Sequence, residues 1–282
     1  MWYYVMVKFL NIFPNTPLRK VRRLVSFPVE EQLYKTTLEH GQLRLFIYAN
    51  PEFMKVRPAI LFFHGAGFST NKVKPNQFQN HANHFASLGY VSVCVEYRPL
   101  QVEGLFSPID CILHAKSAIR WVRNKSSSLG IDPNKITVAG ASAGGYLSLC
   151  CAMLEQFNDI SDDLAISCVP NAVVVFNGGV DTIQLITMFP SLAEDLSHAS
   201  LIQHVRSDLP PSILFHGTLD ENVRHETVKD FVEKLKQRDN DCTLISFDGM
   251  GHGFFNFGQH ENMPYERTIN ETERFLRANM ML

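Results

Sequence analysis

No stretch of this 282-residue chain holds the roughly twenty consecutive apolar residues that a membrane-spanning helix needs. It also lacks any Cys-x-x-Cys pair, internal repeat, low-complexity tract or polar linker. The first absence argues against a helical membrane span, and the others against dithiol chemistry, a solenoid or a string of tethered domains. Charge of either sign is scarcely in excess: 26 Lys and Arg against 28 Asp and Glu leave a net −2. Such a chain offers no field for nucleic acid or an acidic membrane, so neither is expected as a partner. The six cysteines, Cys94, Cys111, Cys150, Cys151, Cys168 and Cys242, mostly sit in apolar runs, where a free thiol packs as a small hydrophobe. With no secretory pattern ahead of them, they are expected as reduced thiols of a cytoplasmic protein. The sequons at Asn124 and Asn270 are then expected to stay unmodified.

What is present begins with "MWYYVMVKFLNIFP", where Trp2, Val5, Met6, Phe9, Leu10 and Phe13 share one face at helical spacing. Residues 1–30 are expected to form a helical segment laid against a domain spanning 31–282. An interfacial membrane contact, using that face and the basic residues from Arg19 to Arg23, is the alternative. Beyond it, "YKTTLEH" and "LRLFIYA" read as an antiparallel hairpin turning at Gly41-Gln42. Continuous apolar runs follow: "AILFFHG", "YVSVCVEY", "KITVAG", "NAVVVFNGG", "SILFHG" and "CTLISFDG". Runs without alternation suit strands buried on both faces, and helical patterns separate them. One of these, "SPIDCILHAKSAIRWVRNKSS", offers Ser107 as an N-cap and Pro108 in its first turn. The pattern predicts one α/β domain, a mostly parallel sheet flanked by helices. Residues from about 180 to 210 break the alternation and read as a short insertion over one end of the sheet.

The chemistry centres on "ITVAGASAGGYLSL", where a strand pattern hands over to a helix and Ser142 stands between Gly140 and Gly144. G-x-S-x-G in that setting is a nucleophile elbow: the turn lifts the hydroxyl clear, and small neighbours let strand and helix approach. Upstream, "FFHGAGF" supplies a loop of very small residues after a strand. Backbone amides of Gly65, Ala66 and Gly67, with that of Ala143, could face a developing oxyanion. The glycines lack the lysine that a phosphate-binding P-loop requires. Downstream, "HGTLDENV" and "DGMGHGF" each follow a strand and place Asp220 and His252 at its carboxyl end. A serine needs a histidine base, and the histidine a carboxylate to fix its tautomer. Glu221 and Asp248 are alternative acids, Asp220 the preferred one. His64 and His216 read as structural, and His81 with His84, at i and i+3, as a solvated helix face. No metal and no cofactor are expected.

Together the segments "HGAGF", "VEYRP", "DCILHAKSAIRWVRNKSSSLGIDPNKITVAGASAGGYL", "LPPSILFHGTLDENV" and "GMGHGF" resemble the α/β-hydrolase superfamily. Within it they are similar to the bacterial carboxylesterase and acetyl-esterase branch related to hormone-sensitive lipase. The resemblance covers roughly Pro58 to Phe257. It implies Ser142, Asp220 and His252 as the triad and Gly65, Ala66, Gly67 and Ala143 as the oxyanion hole. It also implies supporting roles for Tyr97, Arg98 and Asp110. The family's HGGG has Ala66 at its middle glycine here, which narrows the room beside the oxyanion, and the acid lies outside the usual "DPLxD". The expectation is a serine carboxylic-ester hydrolase acting on small-molecule esters with acetyl to butyryl acyl groups. A small serine peptidase or amidase and an inactive binding protein of the same fold are the rivals; oligomeric state is left open.

Overall fold

The structure is a computed structural model that describes residues 25–38, 41–65, 67–68, 75–98, 100–102 and 105–281. Most of the proposed N-terminal segment, and Ala66, lie outside the described residues.

The expected hairpin opens the fold: β1 (Val29–Thr37) pairs antiparallel with β2 (Gly41–Ala49). Next come β3 (Arg57–Phe63), α1 (Gln79–Ser87) and β4 (Val91–Val95). A small hairpin that sequence patterning missed, β5 (Leu100–Val102) with β6 (Leu105–Ser107), precedes α2 (Pro108–Asn124). Pro108 opens α2 as its fixed φ favours. A short α3 (Ser126–Leu129) leads to β7 (Ile131–Ala141), α4 (Ala143–Met153) and β8 (Ala172–Phe176). The insertion carries α5 (Ile183–Met188) and α6 (Ala193–His198), and β9 (Ser212–Gly217), α7 (His225–Lys236), β10 (Cys242–Phe247) and α8 (Met263–Ala278) complete the chain.

Eight strands form one sheet in the order β1-β2-β4-β3-β7-β8-β9-β10. From β4 across to β10 every pairing is parallel. The apolar runs do not alternate because both sheet faces are covered. Ala59, Leu61 and Phe63 of β3 enter one core with α2, α4 and α7. Ile60 and Phe62 enter the other, with α1 and α8. Val173 and Val175 of β8 divide from Val174 and Phe176 in the same way. All six cysteines are free and buried, as their apolar settings suggested. The insertion is pinned to this frame by Tyr146, whose hydroxyl donates to Ala199 C=O at 2.8 Å, and is tied within itself by Thr182, whose hydroxyl donates to Leu196 C=O at 2.7 Å.

The structure corrects one expectation. His81 and His84 do not share a solvated face, because α8 packs over α1 on that side of the sheet. His81 is 2% exposed, with the rings of Tyr265 and Phe78 centred 4.8 and 5.0 Å away and Phe176 at 5.6 Å. His84 pairs with Glu273 at 2.8 Å. Neither ring nitrogen of His81 has a hydrogen-bond partner among the described residues. Burial, with a smaller push from His84, pulls this imidazole from 6.5 down to about 3. The unfolded chain therefore binds the proton more readily than the folded one. Stability due to neutral His81 is complete above about pH 6.5 and lost as pH falls toward 3, by about 1.4 kcal/mol per pH unit. In His81→Leu the decline of unfolding free energy between pH 6.5 and 4 is expected to be shallower by about that slope; denaturant titrations across this range check it, and parallel declines in both proteins would refute it.

Candidate active site

The parallel strands all end at one edge of the sheet, and the candidate residues stand there. Between β7 and α4, Ser142 is forced into the left-handed region, φ 52° and ψ −118°. The neighbouring structure holds that strain in place. Ser142 N–H donates to Phe176 C=O at 2.9 Å, and Ser142 C=O accepts Tyr146 N–H at 3.0 Å. The flanking glycines are there for close approach. A Cβ on Gly140 would stand 2.1 Å from the Gly144 carbonyl oxygen, and one on Gly144 only 2.0 Å from that of Phe63.

Beyond β3, Gly65 lies against the elbow: a Cβ there would be 3.3 Å from Ser142 Cβ. Its amide, however, donates to Gln77 Oε1 at 2.8 Å. This corrects the sequence expectation for Gly65, since its N–H is already committed and is not open to a ligand. Gly67 takes φ 56° and Phe68 φ 60°. The Phe68 ring meets Tyr146 edge-on at 6.0 Å. Ala143 is the first residue of α4, where an amide has no intrahelical acceptor. His64 is structural, as expected. It stacks on Tyr97 at 4.2 Å, its carbonyl accepts the Tyr97 hydroxyl at 2.5 Å, and burial pulls its imidazole down to about 4. Arg98 Nε donates to Glu96 Oε1 at 3.1 Å, and Asp110 stands in the first turn of α2.

The turns after β9 and β10 bring the acid and the histidine together. His252 Nδ1 lies 2.8 Å from Asp220 Oδ2 and 3.0 Å from Oδ1. Asp220 Oδ1 also accepts the backbone N–H of Asn222 at 2.9 Å and of Val223 at 3.0 Å. Burial pushes this carboxyl up, but the hydrogen bonds from His252, Val223 and Asn222 and the attraction of His252 outweigh it, so its pKa lies below the ordinary value. Glu221 is exposed, and Asp248 accepts the Thr218 hydroxyl at 3.2 Å. The carboxylate beside His252 is thus Asp220. His216, buried and pulled down chiefly by burial, donates Nε2–H to Val223 C=O at 2.9 Å and lies 3.4 Å from Asp220 Oδ2.

One residue of the site went unnoticed in the sequence. Asn177, just beyond β8, is 1% exposed with φ 40°. Its Nδ2 lies 2.9 Å from His252 Nε2 and 3.1 Å from Nδ1. Near-equal distances to both nitrogens place that amide over the imidazole. The signal available was "NGG" after a buried strand, Asn being tolerant of left-handed backbone. Among the described residues no hydrogen bond joins the Ser142 hydroxyl to His252. Likewise, no three His, Cys, Asp or Glu side chains among them are grouped as metal ligands.

A strand–serine–helix elbow, a glycine loop beside it and an Asp–His pair on one sheet edge define an α/β-hydrolase with the fold of the esterases. The chain belongs to the BD-FAE family, which it matches over residues 45–235. It is 36% identical to esterase 2 of Thermogutta terrifontis phosphoramylated by tabun, with a TM-score of 0.84, covering 90% of this chain and 96% of that one. Other structures of that esterase, at 34–36% identity and TM-scores of 0.82–0.83, are propionate-bound, butyrate-bound or phosphorylated by paraoxon. Among curated relatives, the probable carboxylic ester hydrolase LipM of Mycobacterium tuberculosis is 28% identical over 63% of this chain and 45% of its own. A probable isoprenylcysteine alpha-carbonyl methylesterase of Arabidopsis thaliana is 26% identical over 57% of this chain and 38% of its own. The chain thus spans about half the length of the curated relatives it matches.

The elbow geometry predicts contrasting glycine substitutions. Gly144→Ala drives a methyl into backbone that cannot move aside and is expected to cost more than about 3 kcal/mol, far above the helix-propensity gain. Gly179→Ala, where a Cβ meets nothing within 4 Å, is expected to stay within about 0.5 kcal/mol of the parent. Thermal unfolding of the two variants beside the parent checks the contrast.

Proposed function

We propose that the protein is a serine carboxylic-ester hydrolase that acts on small-molecule esters of short acyl groups, acetyl to butyryl. The observation that carries this reading is the pairing of buried Asp220 with the partly open His252, 2.8 Å apart, on the sheet edge where the elbow presents Ser142. Asp220 holds the proton on Nδ1 and leaves Nε2 of a neutral ring as the acceptor. In the resting arrangement the Asn177 amide lies over that ring, and the imidazole engages the hydroxyl when substrate closes the gap, as apo catalytic bonds commonly tighten in the complex. His252 then takes the proton of Ser142 as Oγ attacks the ester carbonyl. The tetrahedral oxyanion is met by Ala143 N–H at the positive end of α4 and by amides of the loop beyond Gly65, with Ala66 and Gly67 as the donors. His252 passes the proton to the departing alkoxide. Water, with His252 again as base, then releases the acid from the acyl-enzyme.

The short-acyl preference is supported by the propionate- and butyrate-bound forms of the Thermogutta terrifontis esterase and by the shortness of the insertion after β8. Ester rather than amide cleavage is supported by the similarity to a probable methylesterase and a probable carboxylic ester hydrolase. The reading includes a cytoplasmic location, supported by six free, buried thiols.

Turnover of p-nitrophenyl acetate, butyrate and octanoate by the parent, Ser142→Ala and Asp220→Asn is the test. The parent is expected to prefer acetate or butyrate, with kcat falling on the order of 10⁴-fold or more in Ser142→Ala and about 10³–10⁴-fold in Asp220→Asn. Faster turnover of octanoate would refute the acyl preference. Undiminished rates in Ser142→Ala would refute the nucleophile, and faster cleavage of a matched amide would transfer the reading to a peptidase.

A further inference from the structure

Side-chain amides join the loop beside Ser142 to the loop that carries His252. Gly65 N–H donates to Gln77 Oε1 at 2.8 Å. Gln77 Nε2–H donates to Asn256 Oδ1 at 3.1 Å. Asn256 Nδ2–H donates to the Gly253 carbonyl at 2.9 Å, and the backbone N–H of Asn256 reaches the same oxygen at 3.1 Å. Gly253 directly follows His252 and takes φ 81°. The ends of this strap fix its direction. Gly65 N–H can only donate and the Gly253 carbonyl can only accept, so each amide has one orientation that satisfies every link. In such a chain each bond polarises the next.

The strap is also rooted in the core. Gln77 belongs to the single turn Pro75–Phe78, whose Phe78 is fully buried and stacked between Phe62 at 5.1 Å and Phe255 at 5.8 Å. Phe255 in turn precedes Asn256, so one aromatic stack sets the backbone on both sides of the Gln77–Asn256 bond. Nothing in the site requires Gln77 or Asn256 to touch substrate; what they hold are two stretches of backbone that must keep a fixed separation.

We propose that Gln77 and Asn256 are positioning residues for ester hydrolysis, setting the amides beyond Gly65 in register with the His252 imidazole. The proposal rests on the reading of Ser142, His252 and the oxyanion amides given above. The oxyanion forms only in the transition state, so loss of register lowers kcat while leaving KM nearly unchanged. A displacement well under 1 Å suffices for an effect of about tenfold.

The test uses the full chain with p-nitrophenyl butyrate. The variants are Gln77→Met, Asn256→Leu, the double variant, and Asn256→Asp, which keeps the acceptor for Gln77 and the backbone donor for Gly253 but has no side-chain donor for it. Stoichiometric p-nitrophenol release by paraoxon counts reactive sites, so kcat refers to folded enzyme only. Each single variant, including the near-isosteric Asn256→Asp, is expected to lose about tenfold in kcat with KM within about twofold. The double variant is expected to lose no more than the worse single one, because both cut one strap. Multiplying losses in the double variant, an effect confined to KM, or kcat within twofold of the parent in all singles would each overturn the proposal. Failure of the underlying reading has a separate signature: Ser142→Ala would then match the parent whatever the strap variants do.

Discussion

The structure depends on one close approach, that of β3, β7 and α4 around Ser142. Where side chains elsewhere separate strand from helix by a full layer, here backbone meets backbone. Gly144 lies so near the Phe63 carbonyl, and Gly140 so near that of Gly144, that no Cβ fits at either position. This contact forces the chain to turn within a single residue and puts Ser142 at φ 52°. It also draws α4 wholly into the interior, with every residue from Ala143 to Met153 buried. The left-handed serine is a local cost of order 1–3 kcal/mol, and the burial of an entire helix surrounds and offsets it.

The parallel sheet converts that single geometry into a site. Because β3, β7, β8, β9 and β10 end on one edge, Gly65, Ser142, Asn177, Asp220 and His252 meet although they come from distant parts of the chain. Their environments are graded by burial and hydrogen bonding. Asp220 is desolvated yet kept ionised by donors on three sides, whereas His216 and His64 are buried where the charged form is disfavoured. Three histidines around one sheet edge are thereby distinguished. Two are held neutral by burial, and His252 alone is both joined to Asp220 at 2.8 Å and partly open to the site.

The elbow, the acid and the histidine were legible in the sequence because their chemistry imposes residue types at fixed places. Glycines where backbones touch, a serine at the turn, and a carboxylate and an imidazole after successive strands leave a pattern in one dimension. The two-faced burial of the strands was legible for the same reason, since covering both faces removes alternation. Gln77, Asn177 and Asn256 were not legible. An amide side chain is ordinary anywhere on a surface, and its importance here comes from the hydrogen-bond partners that tertiary packing brings to it, at 2.8 to 3.1 Å. His81 was misread on similar grounds, for the i, i+3 spacing reports that two imidazoles share a helix face and says nothing of the second helix that covers it. Gly65 shows the limit of motif reasoning within a motif: its residue type suits an open amide, but Gln77 occupies it.

That occupation bears on where transition-state stabilisation arises in the proposed mechanism. With Gly65 committed to Gln77, the remaining amides are those of the next residues in the loop and that of Ala143. Of these, Ala143 is the most firmly placed, because it opens a helix whose first turn is locked against β3 and β7 by the glycine contacts. The dipole of α4 and its first amide, which has no intrahelical acceptor, therefore lie at the elbow itself, with no separate device needed to aim them. Ser142 and Ala143, the proposed nucleophile and oxyanion donor, are consecutive residues of one rigid turn, so their mutual geometry cannot drift without unpacking the core. The histidine has no such covalent neighbour in the site. Its setting is transmitted through side chains, by the Asp220 carboxylate at Nδ1, the Asn177 amide over the ring and the loop held by Asn256, and this is where a site otherwise fixed by backbone is adjustable.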